Sequence, residues 1–394
     1  MWRHEPPPHH ETPQPRHPFS QRPGPSQRCS LEQFSAPGFV DCAHGGERTS
    51  KRSRRYVFPP VPSPFLKKAL PFMSDPVSGI HHVTAYAHDP QENLDFYTGV
   101  LGLRLVKQTV LFNNPSEAFQ GPTMYHFYYA DETGTPGTVL TFKPHHSIQK
   151  GQVGRGQATA TAFTIPEGAV DYWVDRLDAA DEATLYPVTE RFGRTVIQFQ
   201  DHDDQPLELI TGTSDIEPWA DGPVPAEHAV RGFHGVTIHP HNGQLTTEVL
   251  ELMGYEQVDH EPTPQNGDWT RFRVPGPDHA QFIDLYNEPN MHEGQWGYGT
   301  VHHVAFRVSD DEHQRAIRQR LRDAGHDVTT MKDRNYFHSL YFRDPNGVNF
   351  EIATDPPGFL HDESVDELGT TLMLPPFLQD RRDEVEAQLA DISV

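Results

Sequence analysis

The stretch GIHHVT at residues 79–84 decides the fold, because related stretches open three later segments of the chain. Residues 232–237 read GFHGVT, residues 300–304 read TVHHV, and residues 158–161 read ATAT. Each of these short strand patterns is followed by a polar turn, an amphipathic helix pattern and further apolar strands. The chain therefore repeats one βαβββ module four times.

The helix of each module is predicted from its start signal and its apolar period. In the first module Asp89 precedes Pro90, a pair typical of a helix N-cap and the first helical position. The helices of the other modules are predicted at 169–177, 245–252 and 312–324, and a last helix near 382–392. Four such modules favour an α+β fold over a doubly wound sheet, which needs a helix after nearly every strand. We expect the modules to pair into curved mixed sheets around a metal-binding cavity.

Composition divides the chain into four parts. Residues 1–72 are rich in Pro, Arg, His and Ser and lack any apolar period, which predicts a disordered extension. Met73 is the first methionine after Met1, so we expect translation to start there naturally. Residues 73–215 and 225–360 are predicted to form an N-terminal and a C-terminal two-module domain, and residues 361–394 a tail with a helix.

The charge balance excludes several kinds of partner. The net charge is −23, and after residue 72 the chain has 21 Lys and Arg against 50 Asp and Glu. Such a body repels nucleic acid and anionic membranes, and no apolar run approaches the ~20 residues of a membrane-spanning helix. The acidic, lysine-poor composition after residue 72 suggests a cytoplasmic protein from an organism whose cytoplasm has a high salt concentration.

Cysteine chemistry is confined to the first part of the chain, because Cys29 and Cys42 are its two cysteines. The modules therefore have no thiol for a disulfide or a nucleophile, and a metal there must use His and carboxylate ligands.

Comparison of the modules identifies candidate metal ligands on the first strands. Modules one and four have His82 and His303 at equivalent positions, where an ungapped alignment sets Ala158 in module two and the shared motif sets Gly235 in module three. A lone strand histidine is usually a core residue. Its recurrence in two related modules favours a shared metal instead.

The last strands supply the third candidate ligand. The equivalent positions are Thr141, Glu208, Asp284 and Glu351 in modules one to four. Pairing modules one and four collects His82, His303 and Glu351, with Thr141 in the fourth place. Two imidazoles and one carboxylate form the facial set that binds Fe(II) for oxygen chemistry, with Mn(II) as an alternative. Glu208 and Asp284 are expected to be structural, since their modules lack the histidine.

Polar neighbours extend this candidate site. His81 and His302 precede the ligand histidines and would point to the opposite face of a regular strand, although a bulge could bring one of them to substrate. A turn with a bulge at Gly347 would place Tyr341 beside Glu351. Arg334 lies in the same module, and an Arg or Tyr there could orient a ring and stabilise negative charge.

These motifs resemble the vicinal oxygen chelate superfamily of glyoxalases, bleomycin-resistance proteins and extradiol dioxygenases. Within it the chain resembles the ring-cleaving dioxygenases of hydroquinones, over about residues 78–380. The similar stretches are GIHHVT at 79–84, DFYTGVLGLR at 95–104, TVHH at 300–303, DRNYF at 333–337 and FEIATDPPGF at 350–359. Residues 1–72 have no counterpart.

The resemblance implies a function and a set of roles. It makes His82, His303 and Glu351 the Fe(II) ligands and places five residues around the substrate: His81, Thr84, His302, Arg334 and Tyr341. It further implies that a para-diol ring binds iron through one hydroxyl and that O₂ is inserted beside the hydroxylated carbon. The partners would be a small aromatic diol and O₂. Whether the chain forms a homo-oligomer is left open by the sequence.

Three other functions compete with this one. Catechol-cleaving relatives take both ligand histidines from modules three and four, against which Gly235 argues. A glyoxalase-type isomerase would need a second carboxylate where the chain has Thr141. A metal-free binding protein would have no chemical need for His82, His303 and Glu351 together.

Overall fold

The computed structural model describes residues 75–111, 124–264 and 266–394. The expectations for residues 1–72 and for Met73 lie outside these residues. The described residues belong to one compact unit, Ala69–Val394. None of its described helices is both long enough and apolar enough to cross a membrane.

The first two modules contain the following elements. Module one has strands β1 (Ile80–Ala87), β2 (Arg104–Val110), β3 (Tyr125–Ala130) and β4 (Val139–Pro144), with helix α1 (Pro90–Leu94) continued by a π-helical stretch (Asp95–Val100). Module two has β5 (Gln157–Ile165), a 3₁₀ turn (Glu167–Ala169), α2 (Val170–Asp178), β6 (Thr184–Leu185), β7 (Thr189–Arg191), β8 (Arg194–Gln200) and β9 (Pro206–Thr211).

The last two modules repeat this order. Module three has β10 (Phe233–His239), α3 (Gly243–Met253), β11 (Glu256–Pro262), β12 (Asp268–Arg273) and β13 (Phe282–Asn287). Module four has β14 (Thr300–Val308), α4 (Asp311–Asp323), β15 (Lys332–Asp333), β16 (Phe337–Arg343) and β17 (Asn349–Pro357). The tail has 3₁₀ turns at Phe359–His361, Val365–Glu367 and Pro376–Arg381, then α5 (Arg382–Glu386), which is shorter than the predicted helix near 382–392.

The predicted α+β fold of paired modules is confirmed. Modules one and four share a sheet of strand order β15-β16-β17-β14-β1-β4-β3-β2, and modules two and three share the order β11-β12-β13-β10-β5-β9-β8-β6. In each sheet the central contact is antiparallel, β1 with β14 and β5 with β10, and each flanking contact to a last strand is parallel. Each sheet therefore takes one module from each of the predicted halves, 73–215 and 225–360. These halves describe the order of the modules along the chain, because periodicity marks the modules but not which strand edges pair.

The register corrects the alignment of module two. Thr84 lies opposite Thr141, and His82 comes two residues before Thr84. In module two Ala162 lies opposite Glu208, so Ala160 is the equivalent of His82 and the ungapped alignment to Ala158 is wrong by two residues. A helix-based alignment cannot detect this difference, because the connection before each helix has its own length. The position still holds alanine.

Two register shifts interrupt the central pair beside the ligand histidines. Ile80 and His82 face Phe306 and Ala305, so His81 is an extra residue on β1. Thr84 and Ala85 face His303 and Val301, so His302 is an extra residue on β14. Such bulges redirect side chains that a regular strand would send to the opposite face.

Candidate metal centre

The two sheets of the fold differ, and the sheet of modules one and four brings together three side-chain atoms that could bind a metal. Nε2 of His82 lies 3.2 Å from Nε2 of His303, and Oε2 of Glu351 lies 2.8 Å from Nε2 of His303 and 3.6 Å from Nε2 of His82. All three side chains are buried. They are the one group of three or more metal-binding side chains within reach of a single ion in the described part of the chain.

The donor atoms fit a bound cation. Oε2 of Glu351 is buried and accepts no hydrogen bond of acceptable geometry, whereas Oε1 accepts one from Ser339 Oγ at 2.5 Å. A buried carboxylate oxygen without a partner is costly, and a metal ion would satisfy it. Burial lowers the pKa of His303 to about 4, so its imidazole is neutral at pH 7. Neutral imidazole and ionised carboxylate are the forms that bind a metal.

His81 and His302 contact the ligand histidines from behind. The Nδ1 atoms of His81 and His82 lie 3.0 Å apart, and those of His302 and His303 lie 2.6 Å apart. Each pair of Nδ1 atoms lies within hydrogen-bond distance. A His82 ring that donates from Nδ1–H keeps its lone pair on Nε2, facing the other candidate ligands.

Arg334 and Tyr341 lie on the Glu351 side of the site. Tyr341 faces Glu351 directly in the β16–β17 pair, as expected for a turn that includes Gly347, where φ is +89°. The bulge predicted at Gly347 is wrong: the register shift of this pair lies between Phe337 and Ser339, and the residues from Arg343 to Tyr341 pair regularly after the turn. Nε of Arg334 donates to the Tyr341 hydroxyl at 3.1 Å, and the Tyr341 ring lies 5.8 Å from that of His303. Burial raises the pKa of Tyr341, so the phenol keeps its proton and can donate.

Thr84 belongs to a polar chain that crosses the other side of the site. Its hydroxyl lies 2.8 Å from that of Thr141, which lies 3.1 Å from Nε2 of His126, while Nδ1 of His126 lies 3.0 Å from the Tyr128 hydroxyl. Thr141, the residue in the fourth place, therefore already has two hydrogen-bond partners.

A cavity opens beside the three ligand atoms. Its lining includes the predicted residues Thr84, Arg334 and Tyr341, whereas His81 and His302 are not among its described lining residues. His126, Tyr128 and Lys143 also line it, and the sequence analysis missed them. Alternation could have found all three: His126 and Tyr128 are two apart on β3, and Lys143 follows Thr141 by two on β4.

The other sheet holds ion pairs at the equivalent place. Arg191 contacts both carboxylate oxygens of Glu208, at 3.0 and 2.5 Å, and Arg271 contacts both of Asp284, at 2.8 and 2.7 Å. A Cβ added to Gly235 would lie 2.3 Å from the carbonyl oxygen of Phe282, so that position has no room for a ligand side chain. Arginine satisfies the carboxylates of modules two and three.

The chain belongs to the glyoxalase/bleomycin resistance protein/dioxygenase superfamily, whose family model matches residues 79–209 and 245–352. Among its relatives is MhqO of Bacillus subtilis strain 168, whose name proposes a ring-cleaving dioxygenase; it is 41% identical, over 82% of this chain and 99% of that protein. The chlorohydroquinone/hydroquinone 1,2-dioxygenase of Sphingobium indicum is 32% identical, over 80% of this chain and 97% of that protein.

Solved structures agree with this assignment. A crystal structure of a proposed dioxygenase from Bacillus subtilis has a TM-score of 0.74 at 39% identity and covers 81% of this chain and 99% of its own. Glyoxalase I from Zea mays has a TM-score of 0.52 at 14% identity and covers 70% and 92%, which shows a shared fold.

Proposed function

We propose that this protein is an Fe(II)-dependent ring-cleaving dioxygenase that acts on a hydroquinone-type aromatic diol in the cytoplasm. The observation that carries the proposal is the convergence of His82 Nε2, His303 Nε2 and Glu351 Oε2 beside a cavity. The names of MhqO and of the Sphingobium indicum enzyme, both similar to the chain along nearly their whole length, point to the same chemistry.

The three side chains would hold the metal and leave positions open for other ligands. Iron in such a facial set supplies the redox chemistry that joins O₂ to an aromatic ring. Mn(II) binds similar ligands and is the alternative metal. His81 and His302 would hold the two ligand rings in the correct tautomer, and Ser339 would hold the carboxylate.

The remaining residues would bind and orient the diol. Tyr341, with Arg334 behind it, presents an O–H that can donate to an oxygen of the ring where negative charge develops. Thr84 also lines the cavity, and its hydroxyl is held by that of Thr141. Val110, Leu111 and Phe337 supply apolar walls for the ring.

An isomerase of the glyoxalase type is the second candidate, because the fold is shared with the Zea mays enzyme. That chemistry would require a second carboxylate near the metal. Thr141 occupies the fourth place, and its hydroxyl contacts Thr84 and His126. Because Thr141 carries no charge, it favours the dioxygenase function over the isomerase function.

The test is metal content followed by oxygen consumption. Protein loaded anaerobically is expected to retain one iron per chain and to consume O₂ with hydroquinone or methylhydroquinone, yielding a ring-opened, ultraviolet-absorbing acid. Catechol and the thiol–aldehyde adduct of methylglyoxal serve as controls. Turnover of the adduct without O₂ would assign the isomerase function, and faster cleavage of catechol would assign the extradiol one.

A further inference from the structure

Lys143 is a buried lysine without a carboxylate partner among the described residues. Its exposed fraction is 8%. Lysines are almost never buried unless they are paired. Buried Lys107 obeys this rule, because it contacts Asp362 and Glu363, and even the exposed Lys150 contacts Asp204. The ammonium of Lys143 lies over the ring of Tyr86, 5.7 Å from its centroid.

Its place in the sheet explains where this charge points. On the paired strands β1 and β4, Thr84 faces Thr141 and Tyr86 faces Lys143. Because side chains alternate along a strand, Thr141 and Lys143 share a face, and Lys143 lines the cavity beside the three ligand residues. The ammonium therefore reaches the cavity that the diol would enter.

Lys143 and Arg334 approach this cavity from opposite sides of the ligand strands. Arg334 precedes β16, and the strand order from β16 to β4 passes through β17, β14 and β1, which hold Glu351, His303 and His82. Arg334 already bonds Tyr341, on the Glu351 side. Lys143 stands apart from that pair and is available to a different part of the bound molecule.

The isolated charge is unfavourable for the protein by itself. Burial and the nearby Arg334 lower the pKa of Lys143 to about 8, against an ordinary value of 10.5, although the charge of Glu351 acts in the opposite direction. Methionine or leucine would fill the same space at no electrostatic cost. Unfavourable groups of this kind persist at functional sites, where a ligand supplies the missing partner.

We propose that Lys143 is a specificity-determining residue that binds an anionic oxygen carried by the ring of the diol, distinct from the oxygen held at the metal. This inference rests on the proposed function. The anionic oxygen has two sources of the same chemistry: a carboxylate attached to the ring, or the second ring hydroxyl in its ionised form.

The first experiment measures binding to the metal-free full-length chain, so that it does not depend on turnover. The probes are benzoate and its neutral analogue benzamide, with Lys143→Met as the variant and exposed Lys150→Met as the control. A charge-assisted hydrogen bond favours benzoate by about ten- to a hundredfold in Kd. Lys143→Met is expected to abolish that preference, and Lys150→Met to keep it.

Thermal unfolding separates recognition from a structural role. Without a partner to lose, Lys143→Met should unfold at the same temperature as the parent or higher. Benzoate preference retained in Lys143→Met, or a marked loss of its Tm, would overturn the proposal. Lys143→Arg should keep part of the preference, because it keeps the charge.

Turnover by the iron-loaded chain then distinguishes the two sources. If the anion is a ring carboxylate, Lys143→Met raises KM for 2,5-dihydroxybenzoate by about ten- to a hundredfold and leaves methylhydroquinone unchanged. If it is the second ring oxygen, kcat/KM falls for every para-diol and the advantage of the more acidic chlorohydroquinone is lost. Benzoate binding through Lys143 in a chain that turns over no diol would support the anion site and refute the proposed function.

Discussion

Ser339 donates a hydrogen bond to one oxygen of Glu351 and leaves the other oxygen to the two histidines. The Ser339 Oγ to Glu351 Oε1 distance is 2.5 Å, and the Oε2 atom has no such bond. Ser339 lies two residues before Tyr341 on β16, so one strand presents both the support of the carboxylate and the phenol beside it.

Replacing Ser339 by alanine should weaken metal binding without removing any ligand. The carboxylate would lose the contact that orients it, and loss of such supports typically costs 10–100-fold in metal affinity. Competition with a chelator of known affinity measures the change. Exposed Ser147→Ala is the control, and equal affinities in the two variants would show that Ser339 does not orient the ligand.

One metal should bind per chain, and it should depend on His303 and not on Glu208. His303→Ala removes one of three ligands and is expected to abolish iron retention. Glu208→Gln should keep one iron, yet lower the unfolding free energy, since buried Arg191 would keep only Asp284, 3.4 Å from its Nε, as a counter-charge. Metal analysis and denaturant unfolding test both halves, and a second iron that disappears with Glu208→Gln would contradict the assignment.

Tyr341→Phe should retain iron and lose turnover. The substitution removes a hydroxyl that contacts Arg334 and keeps the ring that packs near His303. If the phenol stabilises charge as an oxyanion-hole donor does, kcat falls by about 10²–10³-fold. Loss of iron would instead make Tyr341 a support of the metal site, and an unchanged kcat would remove it from the mechanism.

The pH dependence of stability should report the isolated charge of Lys143. Its pKa of about 8 in the folded chain lies below the ordinary 10.5, so between these values the unfolded chain binds more protons. The free energy of unfolding contributed by this group therefore rises with pH from about 8 to 10.5, by roughly 3 kcal/mol.

This contribution is measured as the difference between the metal-free parent and Lys143→Met at each pH. The variant should be the more stable below pH 8, and its advantage should shrink toward pH 10.5. Taking the difference cancels the titration of groups that the two chains share. A difference that does not vary with pH would show that Lys143 has an ordinary pKa and therefore a partner or water.

Sequence alone determined the module order, the fold class and three converging residues. The reason is that His82, His303 and Glu351 occupy repeated positions in a repeated pattern, so comparing the modules aligns them without knowledge of any contact. The turn that includes Gly347 likewise predicted Tyr341 beside Glu351, because it sets that register locally.

Only the tertiary structure decided which residues complete the site. Alternation could have given the strand face of Ser339, His126 and Lys143, but hydrophobic periodicity reports which face a side chain takes and not what lies opposite it. The bulges at His81 and His302 are likewise properties of the β1–β14 pair, since an extra residue exists only relative to a partner strand. The strand patterns could not reveal that Arg191 and Arg271 neutralise the carboxylates of the second sheet. An ion pair forms only when two side chains lie close together, and the pairing of the strands decides which side chains do.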